Sequence, residues 1–250
     1  MFQGVIKFAT WCTFLMYVST AVVPSNFPKC HIADPKINEC LMRNSDMVIS
    51  YLEEGIPEMN IPSLREFKIP KSEVGYASGE ANFKMTLTNT TLYGLHDLKL
   101  QNFNFNPKKL SFSGTALFKQ ITMITHFHVN GKLMPVTINT GGDLETVLEP
   151  STGSLYVTGE LVTTKGKEHF EPKNVTVDIK VPGCKVHISG AFDGNKELEQ
   201  LANKIINDNN REILKELLPS VNKVAEGVLS QMTKAIASTI PVEELFEFST

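Results

Sequence analysis

Between Asn195 and Ser238 apolar side chains recur every three or four residues, through Leu198, Leu201, Ile205, Ile213, Leu217, Val221, Val224, Val228, Met232 and Ala235, with only Asn209 polar in the row. A second row runs beside it through Ala202, Ile206, Leu214, Leu218, Ala225, Leu229 and Ile236. One unbroken helix over this span would be about 66 Å long, against a diameter of about 45 Å for a compact sphere of this chain length. The protein is therefore expected to be elongated. A broad apolar face on so long a helix must be covered, and the preceding chain is what remains to cover it. Pro219 lies inside the span, where a proline removes a hydrogen bond and kinks a helix. Two outcomes follow from that pattern: a helix that curves at Pro219, or a break into two helices, with the polar run 207–211 a second candidate position.

The covering material reads as strand. From Leu64 to Phe192 the pattern has period two, as in Phe83, Met85 and Leu87, Phe103 and Phe105, Leu110 and Phe112, or Ile121, Met123 and Phe127. Asn106-Pro107, Asn130-Gly131, Gly141-Gly142-Asp143, Thr152-Gly153 and Lys165-Gly166 are turn signals spaced for hairpins of an antiparallel meander. Parallel strands would need crossovers of about a dozen residues, and no helical pattern interrupts the region, which excludes a doubly wound sheet. Ahead of it, Ile37 to Glu54 forms a first helix with Gly55 as its stop, and Ile56 to Ile61 with Pro57 and Pro62 forms an extended crossing. Apolar residues from Ile240 to Phe246 are expected to dock back onto the body.

Lys7 followed by the apolar run Phe8 to Val23 reads as a secretory signal peptide over residues 1–23, too short for the roughly 20 residues that span a membrane. Its removal would take Cys12 with it and leave Cys30, Cys40 and Cys184 in an oxidising compartment. Cys30 and Cys40 flank the turn-like Asp34-Pro35, and a local disulfide is expected there, worth about 3 kcal/mol by loop entropy. Cys184 is left over, either as a buried free thiol or as one half of an intermolecular bridge. Asn89-Thr90-Thr91 and Asn174-Val175-Thr176 are glycosylation acceptors, which places Asn89 and Asn174 at the surface.

A net charge of −3 without a basic stripe argues against a nucleic-acid partner. His126 and His128 share one strand face, but two ligands do not make a metal site and no cysteine or carboxylate stands at ligand spacing beside them. The serines near Gly114 and Gly153 do not form a nucleophile elbow, and phosphate-cradling loops are missing, so no catalytic set and no cofactor is expected. The sheet region is instead rich in Phe and Met: Phe83, Met85, Phe103, Phe105, Phe112, Phe118, Met123, Phe127 and Met134. Such side chains either fill a packed core or line a cavity.

The Cys pair near the expected mature start, Gly55-Ile56-Pro57, Ile61-Pro62-Ser63-Leu64, Tyr93-Gly94-Leu95, the stretch Phe192-Asp193-Gly194-Asn195-Lys196-Glu197-Leu198 and the Ile240-Pro241 ending together resemble the insect takeout and juvenile-hormone-binding protein family. With one cysteine pair and an unmated Cys184, the chain is more similar to the takeout-like branch, which leaves juvenile hormone itself in doubt as a ligand. The resemblance covers about Pro24 to Phe248, so residues 24–250 are taken as one ligand-binding domain. It implies an elongated α+β fold, a long C-terminal helix wrapped by a highly curved antiparallel sheet around a hydrophobic tunnel. It further implies a secreted, non-enzymatic carrier whose partner is one small apolar molecule, lipid-like or terpenoid. The lining expected from the inward pattern is Met85, Leu87, Phe103, Phe105, Phe112, Met123, Phe127, Val136, Leu155 and Val157 from the sheet, with Leu217, Val221, Val224 and Val228 from the helix. A rival of another class is a secreted interaction protein with a fully packed core that binds its partner at the surface.

Overall fold

The computed structural model describes Val23 and residues 27–57, 61–78, 81–133 and 136–248; apart from Val23, the expected leader lies outside the described residues. After a two-residue strand β1 (Cys30–His31), helix α1 (Ile37–Glu53) ends at Gly55. That glycine has φ +79°, and a Cβ there would press on the Ser63 nitrogen and the Ile61 carbonyl. Cys30 and Cys40 form the expected disulfide, which ties β1 to the first turn of α1. Cys184 is a free thiol and only 7% exposed, so the buried reading holds. Burial, reinforced by the charge of Glu149, pushes this thiol above its ordinary value.

Nine long strands follow: β2 (Phe67–Ser78), β3 (Ala81–Tyr93), β4 (Lys99–Asn106), β5 (Ser111–Phe118), β6 (Ile121–Leu133), β7 (Val136–Leu148), β8 (Ser151–Thr164), β9 (Lys167–Lys180) and β10 (Cys184–Ser189). They are all antiparallel but do not form one meander. They make a five-stranded sheet in the order β10-β7-β6-β3-β2 and a four-stranded sheet in the order β4-β5-β8-β9. A short parallel pair joins β1 to β11 (Phe246–Glu247), so the C-terminus does dock back.

The turn signals divide accordingly. Lys165-Gly166 is a tight hairpin with φ of 53° and 78°, and residues 107–110 turn between β4 and β5. Asn130-Gly131, Gly141-Gly142-Asp143 and Thr152-Gly153 lie within strands instead. Gly131 and Gly142 are there for space: a Cβ on Gly131 would strike the Phe83 backbone, and one on Gly142 the Ser189 carbonyl. Gly94, with φ +88°, carries the chain from one sheet to the other where a side chain would collide with the Gln120 carbonyl. Asn89 takes φ 53° at a bulge in β3, and it is exposed, as is Asn174.

The C-terminal helix is two helices. Helix α2 (Lys196–Asp208) is capped by the Asn195 side chain, which accepts from the Glu197 and Leu198 amides. Helix α3 (Asn210–Thr239) runs uninterrupted through Pro219 for 30 residues, about 45 Å. The break falls at Asn209, with φ −116° and ψ 21°, while the Asn209 amide still bonds Ile205 O and the Ile213 amide bonds Asn209 O, so the direction of the chain is largely kept. The expected inward row fails over α2: Leu198, Leu201 and Ile205 are 46, 52 and 51% exposed. What turns them outward is the polar side of the same helix.

The Ile188 amide donates to Asn203 Oδ1 at 2.7 Å and Asn203 Nδ2 donates back to Ile188 O at 2.9 Å. The Val186 amide and carbonyl are met in the same way by Asn207, at 2.9 and 2.7 Å, and the Cys184 amide donates to Asn210 at 3.2 Å. Strand β9 continues the pattern, with the Ile179 amide on Asn222 and the Val177 amide on Glu226, both at 3.1 Å. On the opposite edge of the first sheet the Gly75 amide donates to Ser220 Oγ at 3.1 Å. In the second sheet the Phe105 amide of edge strand β4 donates to Asn38 of α1 at 2.7 Å. Each of the four edge strands is thus bonded by a helix side chain. A final short helix, α4 (Val242–Leu245), precedes β11.

Two outcomes check this arrangement. Asn207→Leu leaves both backbone groups of Val186 without partners and should destabilise the protein by about 2–4 kcal/mol in urea unfolding, whereas Asn209→Ala at the exposed break should cost less than about 1 kcal/mol. Cys184 should alkylate with iodoacetamide at pH 8 at least tenfold more slowly in the native protein than in urea, because burial both shields the thiol and disfavours its thiolate.

Candidate functional site

The inner face of the five-stranded sheet gathers Val74, Leu87, Phe127, Leu144, Ile188 and Ala191 into one buried cluster. Met85, Met123, Val129, Val186 and Phe192 pack on it, together with Ile206 of α2 and Leu217 of α3. Met85, Leu87, Met123, Phe127 and Leu217, expected from alternation and helical period, therefore meet in one place. Alternation works here because β3, β6, β7 and β10 each turn one face to the helices, and the register pairs Leu87 with Phe127 across two of them.

The four-stranded sheet carries an aromatic group on its inner side. Phe103 stacks on Phe112 with centroids 6.2 Å apart, and Phe112 tilts against Phe170 at 5.9 Å. Phe105 stacks on Phe246 of the C-terminal strand at 5.2 Å. Val157, opposite Phe112 in the register, is fully buried, and Leu155 beside it pairs with Gly114 and Val177. Phe170 and Phe246 escaped the sequence reading. Phe170 sits in the polar run His169-Phe170-Glu171, where a bulge between Thr158 and Gly159 shifts the register and masks the alternation. Phe246 could have been found, since the C-terminal segment was expected to dock.

Helix α3 lies between the margins of the two sheets. Ser220 bonds β2 on one side, and Asn222 and Glu226 bond β9 on the other. Helical spacing puts Leu217, Val221, Val224 and Val228 on the arc between those margins, facing inward, and leaves Glu216, Pro219, Lys223 and Gly227 on the exposed side. Yet Ala237 is the one residue of α3 that is buried. Leu217, Val221, Val224, Val228, Leu229 and Met232 are all half-buried, as are Met85, Met123, Phe103, Phe105, Phe112 and Leu155 of the sheets. Val136 opens β7, and its side chain lies outside the described residues.

The far end of α3 is closed by a second cluster. Ile61 and Ile240 are buried there, with Leu52, Ile56, Met232, Ile236 and Leu245 packed around them. The Ala237 carbonyl would ordinarily bond the amide four residues on, but that residue is Pro241, which has none. Buried His169 of β9 donates its Nδ1 hydrogen to that carbonyl at 2.8 Å instead, which pins the strand to the helix terminus.

Chemistry of other kinds is sparse. The His126 ring meets the Asp143 carboxylate on the solvent face of the sheet, next to exposed His128. Among the described residues no group of three or more His, Cys, Asp or Glu is placed to hold a metal ion. No helix among them is long and apolar enough to cross a membrane. The inward faces of the two sheets and of α3 carry hydrocarbon, aromatic rings and thioethers.

The family model of haemolymph juvenile hormone binding protein matches residues 8–247. The circadian clock-controlled protein daywake of Drosophila melanogaster is 24% identical over 257 aligned positions, covering 98% of each chain. Its counterpart in Drosophila yakuba is 22% identical over 250 positions, covering 95% of each. The crystal structure of Epiphyas postvittana Takeout 1 superposes with a TM-score of 0.75 at 19% identity, covering 88% of this chain and 99% of that one, a likeness of fold. The likeness to the takeout protein is one of fold, and the family model's match over most of the chain places this chain in the haemolymph juvenile hormone binding protein family.

Proposed function

We propose that the protein is a secreted carrier that holds one small apolar molecule, terpenoid or lipid-like, between the sheets and α3, without chemical turnover. The observation that carries this reading is the half-buried state of the inward arc of α3. Leu217, Val221, Val224 and Val228 face the space between two sheets and still retain accessible surface, whereas residues of a solid core lose nearly all of theirs. Half-buried Met and Phe side chains on the facing sheets supply adaptable walls. The family match, with a name that refers to hormone binding in haemolymph, supports the same reading. The apolar leader, the disulfide and the exposed Asn89 and Asn174 fit export.

Affinity is physically accessible. Enclosing about 400 Å² of ligand surface contributes up to roughly 10 kcal/mol, which association costs reduce to a dissociation constant in the micromolar to nanomolar range. The residues proposed to touch the ligand are the inward sheet and helix positions named from the sequence, joined by Phe170 and Phe246.

Organic extraction of the purified protein followed by mass spectrometry should release a bound apolar compound, and an apolar fluorescent probe should bind saturably at one site. Protein that yields no such compound and takes up no probe would sink the carrier reading in favour of a packed interaction protein. Val224→Trp should abolish probe uptake with little change in thermal stability, because the indole enters open space. In a packed core the same change would cost at least about 1–3 kcal/mol.

A further inference from the structure

Of the 13 residues of α2, the one that is buried is a glutamate. Glu199 is 5% exposed, while the apolar Leu198, Leu201 and Ile205 of the same helix face solvent. Helical spacing sets Glu199 between two rows. Asn203 and Asn207 bond the edge of β10, and Ile206 with Leu217 packs into the core of the five-stranded sheet. Its Oε2 takes the Lys196 ammonium at 3.0 Å, and its buried Oε1 has no hydrogen-bond partner. The ladder of amides that begins at Asn210 and runs through Asn207 and Asn203 thus ends in a carboxylate with a free acceptor.

The surroundings of the carboxylate are lopsided. Glu199 stands in the first turns of α2, where the helix dipole is positive, and Lys196 adds a cation. A buried carboxylate oxygen without a donor is costly, and the row beside it on α2 carries Ile206, which packs into the apolar cluster of the five-stranded sheet. A donor must therefore come from elsewhere. We propose that Glu199 is the polar anchor of the binding chamber and selects apolar ligands that end in a hydroxyl or a comparable neutral donor. The hydroxyl donates to Oε1, and the hydrocarbon extends along the inner face of the sheet toward Leu217. A ligand ending in a carboxylate has no hydrogen to donate to Oε1 and is disfavoured. This assignment rests on the carrier reading above.

The test is displacement of the probe N-phenyl-1-naphthylamine from the full-length protein by three competitors of one chain length: a primary alcohol, its methyl ether and the corresponding carboxylate. The wild type should bind the alcohol about tenfold more tightly than the ether, because the ether leaves the buried Oε1 without a donor. Glu199→Leu should bring that ratio close to one. Glu199→Gln, which keeps the shape, should lower the ratio and strengthen carboxylate binding about tenfold. Equal competition by alcohol and ether in the wild type, or an unchanged ratio in both variants, overturns the assignment while leaving the carrier reading intact. A wild type that binds no probe overturns both. If thermal melting shows that the leucine variant does not fold, the glutamine variant decides by the same ratio.

Discussion

The interaction on which the rest of the structure depends is the hydrogen bonding of helix side chains to the open edges of the sheets. An edge strand presents unpaired amides and carbonyls, which cost free energy if buried and invite pairing with other chains if exposed. Here asparagines of α2 and α3 take the place of a neighbouring strand. The match is geometric: four helical residues from Asn203 to Asn207 rise about 6 Å, and two strand residues from Ile188 to Val186 span about 6.6 Å, so successive amides meet successive accessible backbone groups. A primary amide carries both donor and acceptor, which lets Asn203 and Asn207 satisfy an N–H and a C=O of one residue together.

This bonding orients the helices, and the orientation decides what the interior is made of. With Ser220 turned to β2 and Asn222 and Glu226 turned to β9, the arc between them must face inward, and that arc is apolar. The same constraint in α2 sends Leu198, Leu201 and Ile205 outward and brings Glu199 in. The helix is therefore held at its margins by polar bonds, which leaves its inward face free to be half covered. His169 repeats the device at the other end, where Pro241 leaves a carbonyl open.

Much of this was legible in the sequence, and the failures have identifiable causes. Period two found Leu87, Phe127 and their neighbours because those strands each turn one face to the helices. Gly55, Gly94 and Gly194, part of the motifs that suggested the family, sit where the backbone takes positive φ, a local demand that a sequence displays directly. Asn130-Gly131 and Gly141-Gly142 look the same in the sequence but serve close approach of a neighbouring chain rather than a turn, and the neighbour is not local. The asparagines at 207 and 210 read as a weak point of a helix because their partners lie on β10, and Asn209 alone marks the break.

By itself the sequence determined that the middle of the chain is strand and is flanked by helices, the disulfide, the docking of the C-terminus and the apolar character of the inward faces, because each follows from periodicity or from residues close together in the chain. Only the tertiary structure decided that the strands divide into two sheets, that Pro219 is tolerated while Asn209 divides the helix, and that a glutamate rather than a leucine of α2 is buried. Those outcomes depend on which backbone edge each polar side chain meets, and such pairing exists only after strands distant in sequence have come together around the helix.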